Sequence, residues 1–307
     1  MTEHKLVSVL TPVYNGEGYL ARMLDSVLNQ TYPRLQMILS DDGSTDGTVG
    51  VAEAYIPRFQ ARGYSLEIIS SPHRNASAAI NAGLGRVKGE YLIWPDGDDE
   101  LDPASVETRV RFLERHPEYQ CVRSLMAYVS DETGEPLEKW ESLGDLTREN
   151  LFWDVLEART FVCCGCYMLK TREFFQIYPE KRIPEYEVGQ NFQMLLPYLY
   201  RHPCPTIPQK LYLVHVRGDS HSRRAMTEAE EALRVKRFEA LADDIARICG
   251  IAKGSEAAAR IRLWKVQRRK GLAQKYRRAV RFNLYWVYGK LLRLKLSRRS
   301  GGGDPVR

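Results

Sequence analysis

The chain has 307 residues, 44% hydrophobic and 27% charged. That length suits one large domain, or one domain with a helical appendage, and the balance excludes wholesale disorder, a collagen-like repeat and a disulfide-dense mini-scaffold. The formal net charge of +6 divides unevenly: residues 251–307 hold 17 Lys and Arg against two acids, Glu256 and Asp304, so the preceding 250 are net acidic.

An acidic body with a basic tail suggests a polyanionic partner for the tail, either anionic lipid or nucleic acid. No run approaches the ~20 apolar residues of a spanning helix. The start at Met1, Thr2, Glu3 lacks the build of a signal peptide. Six cysteines do not make a disulfide framework at this length. The expected setting is the cytoplasm, with reduced thiols.

In chain order, Val7 to Thr11 predicts a buried strand ending at Pro12. A helix over about 17–29 follows, with Leu20, Leu24, Val27 and Leu28 on one face. Gln36 to Ser40 is the next strand and runs into Asp41-Asp42-Gly43-Ser44. A helix over about 46–62, a strand over 66–70 and an Ala-rich helix over 75–87 come next. Glu90 to Trp94 predicts a fourth strand, ending in Asp96-Gly97-Asp98-Asp99. Asp102-Pro103 reads as an N-cap followed by Pro at the first helical position. Strands are predicted over 119–130 and 160–170, a helix over 189–200, an extended run over 207–216, and helix from 227 to 248. After a break at 250–254, a basic helical region runs to 296, and 301–307 is a loose, disordered tail. The expected division is 1–225, 226–300 and 301–307.

This alternation argues for an α/β fold, a mostly parallel sheet with helices on both faces. In such sheets the ligand sits beyond the carboxyl ends of the strands. Each early strand ends in polar residues: Thr11, Tyr14 and Asn15; Asp41 and Asp42; Ser70, Ser71 and His73; Asp96, Asp98 and Asp99.

The two carboxylate clusters are the sharpest feature. Like charges crowded at neighbouring strand ends persist only with compensation: a divalent cation, a hydrogen-bond donor or open water. Mg²⁺ takes one or two carboxylates plus phosphate oxygens, which an Asp-x-Asp after a strand supplies. Asp41 or Asp42 would then accept from a base N–H or ribose hydroxyls. Either cluster alone reads more readily as a turn or helix cap. Together, 56 positions apart from Asp42 to Asp98, they point to one site. The glycines between Gly83 and Gly89 follow a helix rather than a strand, so they read as a helix end and turn, not a phosphate loop. Cys163, Cys164 and Cys166 lack the paired spacing of a structural zinc site and read as buried thiols.

Five segments in order carry a resemblance to a family. They are Val7 to Leu20, Ser26 to Pro33, Asp41 to Thr48, Asn81-Ala82-Gly83, and Gly89 to Asp99. Together they closely resemble family 2 glycosyltransferases, strongly over residues 5–130 and more weakly over 160–225. The resemblance implies a GT-A-type, Rossmann-like sheet, a nucleotide-sugar donor, usually a UDP-sugar, Mn²⁺ or Mg²⁺ at the Asp-x-Asp, and inversion at the anomeric carbon. It places Thr11, Pro12 and Tyr14 at the base, Asp41 and Asp42 at the uracil or ribose, and Asn81 near the nucleotide. Asp96 would touch both nucleotide and metal. Asp98 would be the closer metal ligand, with Asp99 an alternative.

The chain departs from the family where a general base is expected. Gln190 and Asn191 stand where relatives carry Glu and Asp, and an amide cannot accept the proton. Asn191 therefore marks the catalytic position without supplying its chemistry. Glu187 is the expected base, with Glu185 its neighbour. Arg217 and Ser220 match a late segment that closes over the diphosphate, where Arg pairs bidentately with phosphate, and His221 is a candidate metal ligand.

In the tail, Val280, Leu284, Val287, Leu291 and Leu294 form a helical apolar stripe amid Arg, Lys and aromatic residues. That composition predicts peripheral contact with an anionic membrane through 277–299, at the inner face of the cell membrane. It also fits a lipid-linked or glycan acceptor. No nucleic-acid module accompanies the charge. The competing expectation is a catalytically silent nucleotide-sugar-binding protein, with homo-oligomerisation a further use of the tail.

Overall fold

The computed structural model describes residues 4–138, 143–217 and 226–276. The chain separates into two compact units, Met1–Arg224 and Ala225–Arg307. Ser220, His221 and the expected membrane segment 277–299 lie outside the described residues.

The first unit is built on strands β1 (Val7–Val13), β2 (Leu35–Asp41), β3 (Ser65–Ser70) and β4 (Tyr91–Ile93). Later strands are β5 (Glu100–Leu101), β6 (Cys121–Ser130), β7 (Tyr167–Lys170) and β8 (Thr206–Val216). They form one sheet in the order β3-β2-β1-β4-β7-β6-β8-β5. Strands β3, β2, β1 and β4 are mutually parallel, whereas β7 runs antiparallel to both β4 and β6. The α/β class with flanking helices is as expected. The sheet is mixed, and its parallel half holds the four early polar strand ends.

Burial explains the pattern. Every residue of β2 is buried, as are Val7 to Thr11 of β1, because helices cover both faces. β3 lies at the edge, exposed at its two end residues and half-buried between them. Helix α1 (Leu20–Leu28) buries Leu20, Met23, Leu24, Val27 and Leu28. It starts later than predicted because Asn15, Gly16 and Glu17 are bound to the next loop. Asn15 N–H donates to Ser44 Oγ at 2.8 Å, Gly16 N–H to Thr48 Oγ1 at 2.7 Å, and Gly47 N–H to Glu17 Oε2 at 3.0 Å. Asn15 takes a left-handed φ of 49°, a conformation Asn tolerates.

Helices α2 (Thr48–Ala61) and α3 (Ala76–Leu84) lie close to expectation. Asn75 caps α3 by accepting from Ala78 N–H at 3.0 Å. Helix α4 (Ser105–Arg115) starts two residues beyond Pro103, the predicted first helical position, because Asp102 closes a local turn by accepting from Ala104 N–H at 2.9 Å. Helices α5 (Phe152–Leu156), α6 (Thr171–Ile177) and α7 (Gln190–Arg201) complete the unit.

The strand predicted over 160–170 is shorter than expected. Cys164–Cys166 forms a 3-10 turn before β7. A Cβ at Gly165 would collide with the Tyr212 ring. Glycine therefore lets β8 press against this turn, and Tyr212 is 1% exposed.

In the second unit, α8 (Glu228–Ile248) begins at a capping box formed by Thr227 and Glu230 and is followed by Gly250 at φ 68°. Ser255 caps α9 (Glu256–Lys275). The Arg268 guanidinium lies 4.4 Å from the Phe238 ring centre and 4.9 Å from that of Trp264, joining the two helices. No described helix is long and apolar enough to cross a membrane.

Replacing Gly165 by Ala should lower unfolding free energy by about 1–3 kcal/mol through overpacking against Tyr212. Urea denaturation with an unchanged m-value checks this, and wild-type stability would refute the packing account.

Candidate active site

Parallel register brings the strand ends together. Val13 is level with Asp41, and Asp41 with Ser70. The chain leaves β4 at Ile93 and delivers the Asp-rich loop to the same edge. A cleft of about 400 Å³ lies there, and Pro12, Tyr14, Asp42, Asp96, Asp98 and Arg217 all line it. Tyr19 and Gln190 line it too.

Each group is held by a specific partner. Asp42 is 4% exposed and accepts from Arg74 N–H at 3.0 Å, with His73 Nδ1 2.9 Å from its other oxygen. The His73 ring stacks on Tyr14, with centroids 4.0 Å apart and planes 18° from parallel. Tyr19 hydroxyl donates to the Tyr14 carbonyl at 3.1 Å. Arg217 Nη2 donates to Asp98 Oδ2 at 2.9 Å, and its guanidinium sits 4.2 Å from the Tyr19 ring centre. Burial, then the Asp98 charge, pushes the Tyr19 hydroxyl above its ordinary value.

The Asp-rich loop hangs on β8. Asp96 N–H donates to the Tyr212 hydroxyl at 3.0 Å, and His215 N–H donates to Asp99 Oδ1 at 2.9 Å. Gln190 Nε2 donates weakly to Asp96 Oδ1 at 3.4 Å, and the Cys164 thiol is a further donor to Asp96. Burial, reinforced by Asp98, pushes the Asp96 carboxyl up to about 6. Asp99 is raised by burial and then by Asp96 and Asp98. The Cys164 thiol is likewise raised, first by burial and then by Asp96.

Three expected nucleotide contacts do not line this cleft. Thr11 is fully buried in β1, and among the described residues its hydroxyl has no hydrogen-bond partner. Asp41 is 2% exposed and accepts from Ser44 N–H at 3.0 Å, so it makes the turn while Asp42 faces the cleft. Asn81 accepts from Ile183 N–H at 2.8 Å and donates to Ile183 O at 3.0 Å and Glu185 Oε1 at 3.1 Å. Its amide clamps the 183–185 segment against α3.

The base candidates are also located. Glu185 pairs with Arg74 at 2.8 Å and Arg182 at 2.7 Å. Glu187 is exposed, three residues before Gln190, and is not a lining residue. Asn191 Oδ1 accepts from Trp94 Nε1 at 3.3 Å. Sequence reasoning missed Tyr19 and Cys164 as parts of the site, whereas His73 was read as a polar strand end and Gln190 as the neighbour of Asn191 at the catalytic position.

The glycosyl transferase family 2 model matches residues 8–177, more than half the chain. The chain belongs to that family. Its glycosyltransferase domain is 38% identical to the Bacillus subtilis glycosyltransferase EpsE over 129 residues, 42% of this chain and 45% of EpsE. It is 31% identical over 179 residues to B. subtilis TuaG, whose name assigns it to teichuronic acid biosynthesis, covering 58% of this chain and 67% of TuaG. Two solved structures share the GT-A fold. Residues 1–349 of Staphylococcus aureus TarS, in complex with UDP-GlcNAc, give a TM-score of 0.61 at 19% identity, covering 95% of this chain and 77% of that one. The Pyrobaculum calidifontis mannosyltransferase PcManGT, in complex with GDP-Man and Mn²⁺, gives 0.56 at 16%, covering 99% and 77%. At those identities the likeness shows the fold alone.

The Asp96 shift predicts a pH signature for this family 2 domain. The folded chain holds a proton on Asp96 between its ordinary value of 3.8 and about 6. That contribution to stability is full below the lower value and is lost as pH rises through the upper one. In metal-free buffer, Asp96→Asn should gain stability relative to wild type as pH rises from 4 to 7. Denaturant titrations across that range check it, and a pH-independent difference would count against the shift.

Proposed function

We propose that the chain is an inverting, metal-dependent glycosyltransferase that moves a sugar from a nucleotide donor of the UDP class to a glycan or lipid-linked acceptor in polysaccharide synthesis. One observation carries this reading: Pro12, Tyr14 and Asp42, at or just beyond the ends of β1 and β2, share one cleft with Asp96, Asp98 and Arg217. The names of EpsE and TuaG and the ligands in the TarS and PcManGT structures support it.

On this reading, Pro12 and Tyr14 border the base, and Asp42 accepts from the base or ribose. Arg217 exchanges its pairing with Asp98 for the diphosphate, where a guanidinium gains charge-assisted hydrogen bonds. The Asp-x-Asp fits Mn²⁺ or Mg²⁺ in donor chemistry, because two carboxylates line the cleft and Asp96 is strained by burial and its neighbour. Among the described residues no group of three or more His, Cys, Asp or Glu is arranged for a metal, so donor phosphates would complete the set. Asp98 and Asp96 would hold the ion, and Asp99 is engaged by His215 N–H instead. When bound, the ion offsets charge on the departing diphosphate. Glu187 takes the proton of the acceptor hydroxyl, reaching in from the turn before α7. Ser220 and His221 keep their expected roles beside the diphosphate and metal. The segment 277–299 supplies the membrane contact, an assignment resting on its composition.

A second reading, a silent nucleotide-sugar binder, is favoured by the amides at Gln190 and Asn191. Turnover separates the two. With Mn²⁺ and a panel of nucleotide sugars, wild type should transfer or hydrolyse one donor, and Asp98→Ala should cut the rate roughly 100-fold, the scale of losing one electrostatic contact to a reacting group. Glu187→Gln should keep donor binding by thermal shift while losing kcat. Full activity in Asp98→Ala rejects the metal assignment, and full activity in Glu187→Gln rejects the base. Donor binding without turnover in wild type establishes the silent binder.

The membrane assignment is tested by flotation of the full chain, and of a chain ending at residue 276, with anionic vesicles. Truncation should abolish flotation, and unchanged flotation refutes the assignment.

A further inference from the structure

A second concavity, of about 410 Å³, opens at the other edge of the sheet from the donor cleft. Lys5 enters β1 and Lys88 precedes β4, so this concavity lies at the starts of the strands whose ends approach the donor cleft. The seven residues of β1 span about 20 Å between the two edges.

Five cations converge here: Lys5, Lys88, Lys170, Arg172 and Lys181. None forms an ion pair with a carboxylate among the described residues. Elsewhere in the unit, cations are commonly paired, as in Arg58 with Asp25 at 2.8 Å and Arg111 with Glu107 at 2.6 Å. The acid lining the concavity, Glu90, is committed to the backbone, accepting from Leu6 N–H at 2.7 Å. Burial and the Lys5 charge lower the Lys170 ammonium below its ordinary value, so the cations feel one another. Lys170 Nζ donates to the Pro117 carbonyl at 3.1 Å, with the Glu173 and Glu118 charges partly offsetting its lowering.

Two lining residues add unused donors. Tyr91 is 1% exposed and Thr171 7%, yet among the described residues neither hydroxyl has a hydrogen-bond partner. Buried hydroxyls are ordinarily paired. Ammonium, guanidinium and hydroxyl donors with one committed acid call for a ligand rich in acceptors and carrying more than one negative charge. A phosphoryl group meets that demand, and a single carboxylate does not.

We propose that this basic concavity binds a phosphoryl group, at a site separate from the donor cleft. The same chemistry is offered by a soluble or glycan-borne phosphate and by a phospholipid headgroup. The assignment stands or falls independently of the transferase reading.

The test uses the full chain in EDTA, titrated calorimetrically with inorganic pyrophosphate. Wild type should bind saturably. Lys88→Ser combined with Arg172→Ser removes two exposed, unpaired cations and should weaken binding about tenfold, with unchanged circular dichroism and melting. Thr171→Val should weaken it by a smaller factor. Arg111→Ser, which removes an exposed cation lining neither concavity, should leave it unchanged. Absence of saturable binding overturns the proposal, as does wild-type affinity in the double variant or loss of binding in Arg111→Ser. Malonate binding as tightly as pyrophosphate overturns the phosphoryl assignment. Flotation with phosphatidylglycerol vesicles then separates the sources. A deficit in the double variant relative to wild type supports a headgroup, and equal flotation alongside weakened pyrophosphate binding supports a soluble or glycan-borne phosphate.

Discussion

Carboxylate crowding at one edge of the sheet is the constraint on which the site depends. Asp42, Asp96, Asp98 and Asp99 are brought near one another by parallel register and by the loop after β4. Each is compensated differently. Asp42 has the Arg74 N–H and the His73 ring, Asp98 has the Arg217 guanidinium, and Asp99 has the His215 N–H. Asp96 receives the weaker donors, an amide and a thiol, and burial raises its carboxyl to about 6, as it also raises that of Asp99. Residual electrostatic strain thus falls on Asp96 and Asp99, and of the two Asp96 lines the cleft, where a cationic ligand would relieve it.

The loop that carries these acids is fixed from behind by a charged network. Arg22, from α1, donates to the Asp98 carbonyl at 2.7 Å and to Asp131 Oδ1 at 2.6 Å. His215 lies 2.5 Å from Glu100 and 3.4 Å from Asp131. These contacts tie α1, β5, the end of β6 and β8 to one short loop. Gly165 serves the same purpose from the opposite side by admitting the Tyr212 ring, whose hydroxyl accepts from Asp96 N–H. Precision at the Asp-x-Asp therefore comes from packing between segments more than a hundred residues apart.

Much of the parallel half was legible because strands buried on both faces leave continuous apolar runs and polar ends. Which side chain of a polar end faces ligand was not legible. Asp41 and Asp42 are chemically identical in sequence, yet one closes a turn and the other faces the cleft. Thr11 and Asn81 sit in matching segments, but Thr11 faces the interior and Asn81 binds a segment 102 residues away. Periodicity also could not show that Cys164, read as a small buried hydrophobe, would stand behind Asp96 as a donor. Those outcomes depend on tertiary neighbours, and local spacing does not encode them.

The same crowding gives a reason for the amides at the start of α7. Gln190 Nε2 is 3.4 Å from Asp96 Oδ1 and donates to it. A glutamate at 190 would replace that donor with another negative charge, beside a carboxyl already raised by burial and by Asp98. The departure from the acid pair expected there is thus electrostatically consistent with this particular Asp-rich loop. Asn191 is similarly engaged, giving its acceptor oxygen to the indole of Trp94 and so anchoring α7 to the residue that follows β4. With both amides employed in holding the wall, the proposed chemistry must draw its proton acceptor from a carboxylate outside that wall. Glu187 meets this requirement: it lies in the turn preceding α7, exposed to water, and does not line the crowded cleft.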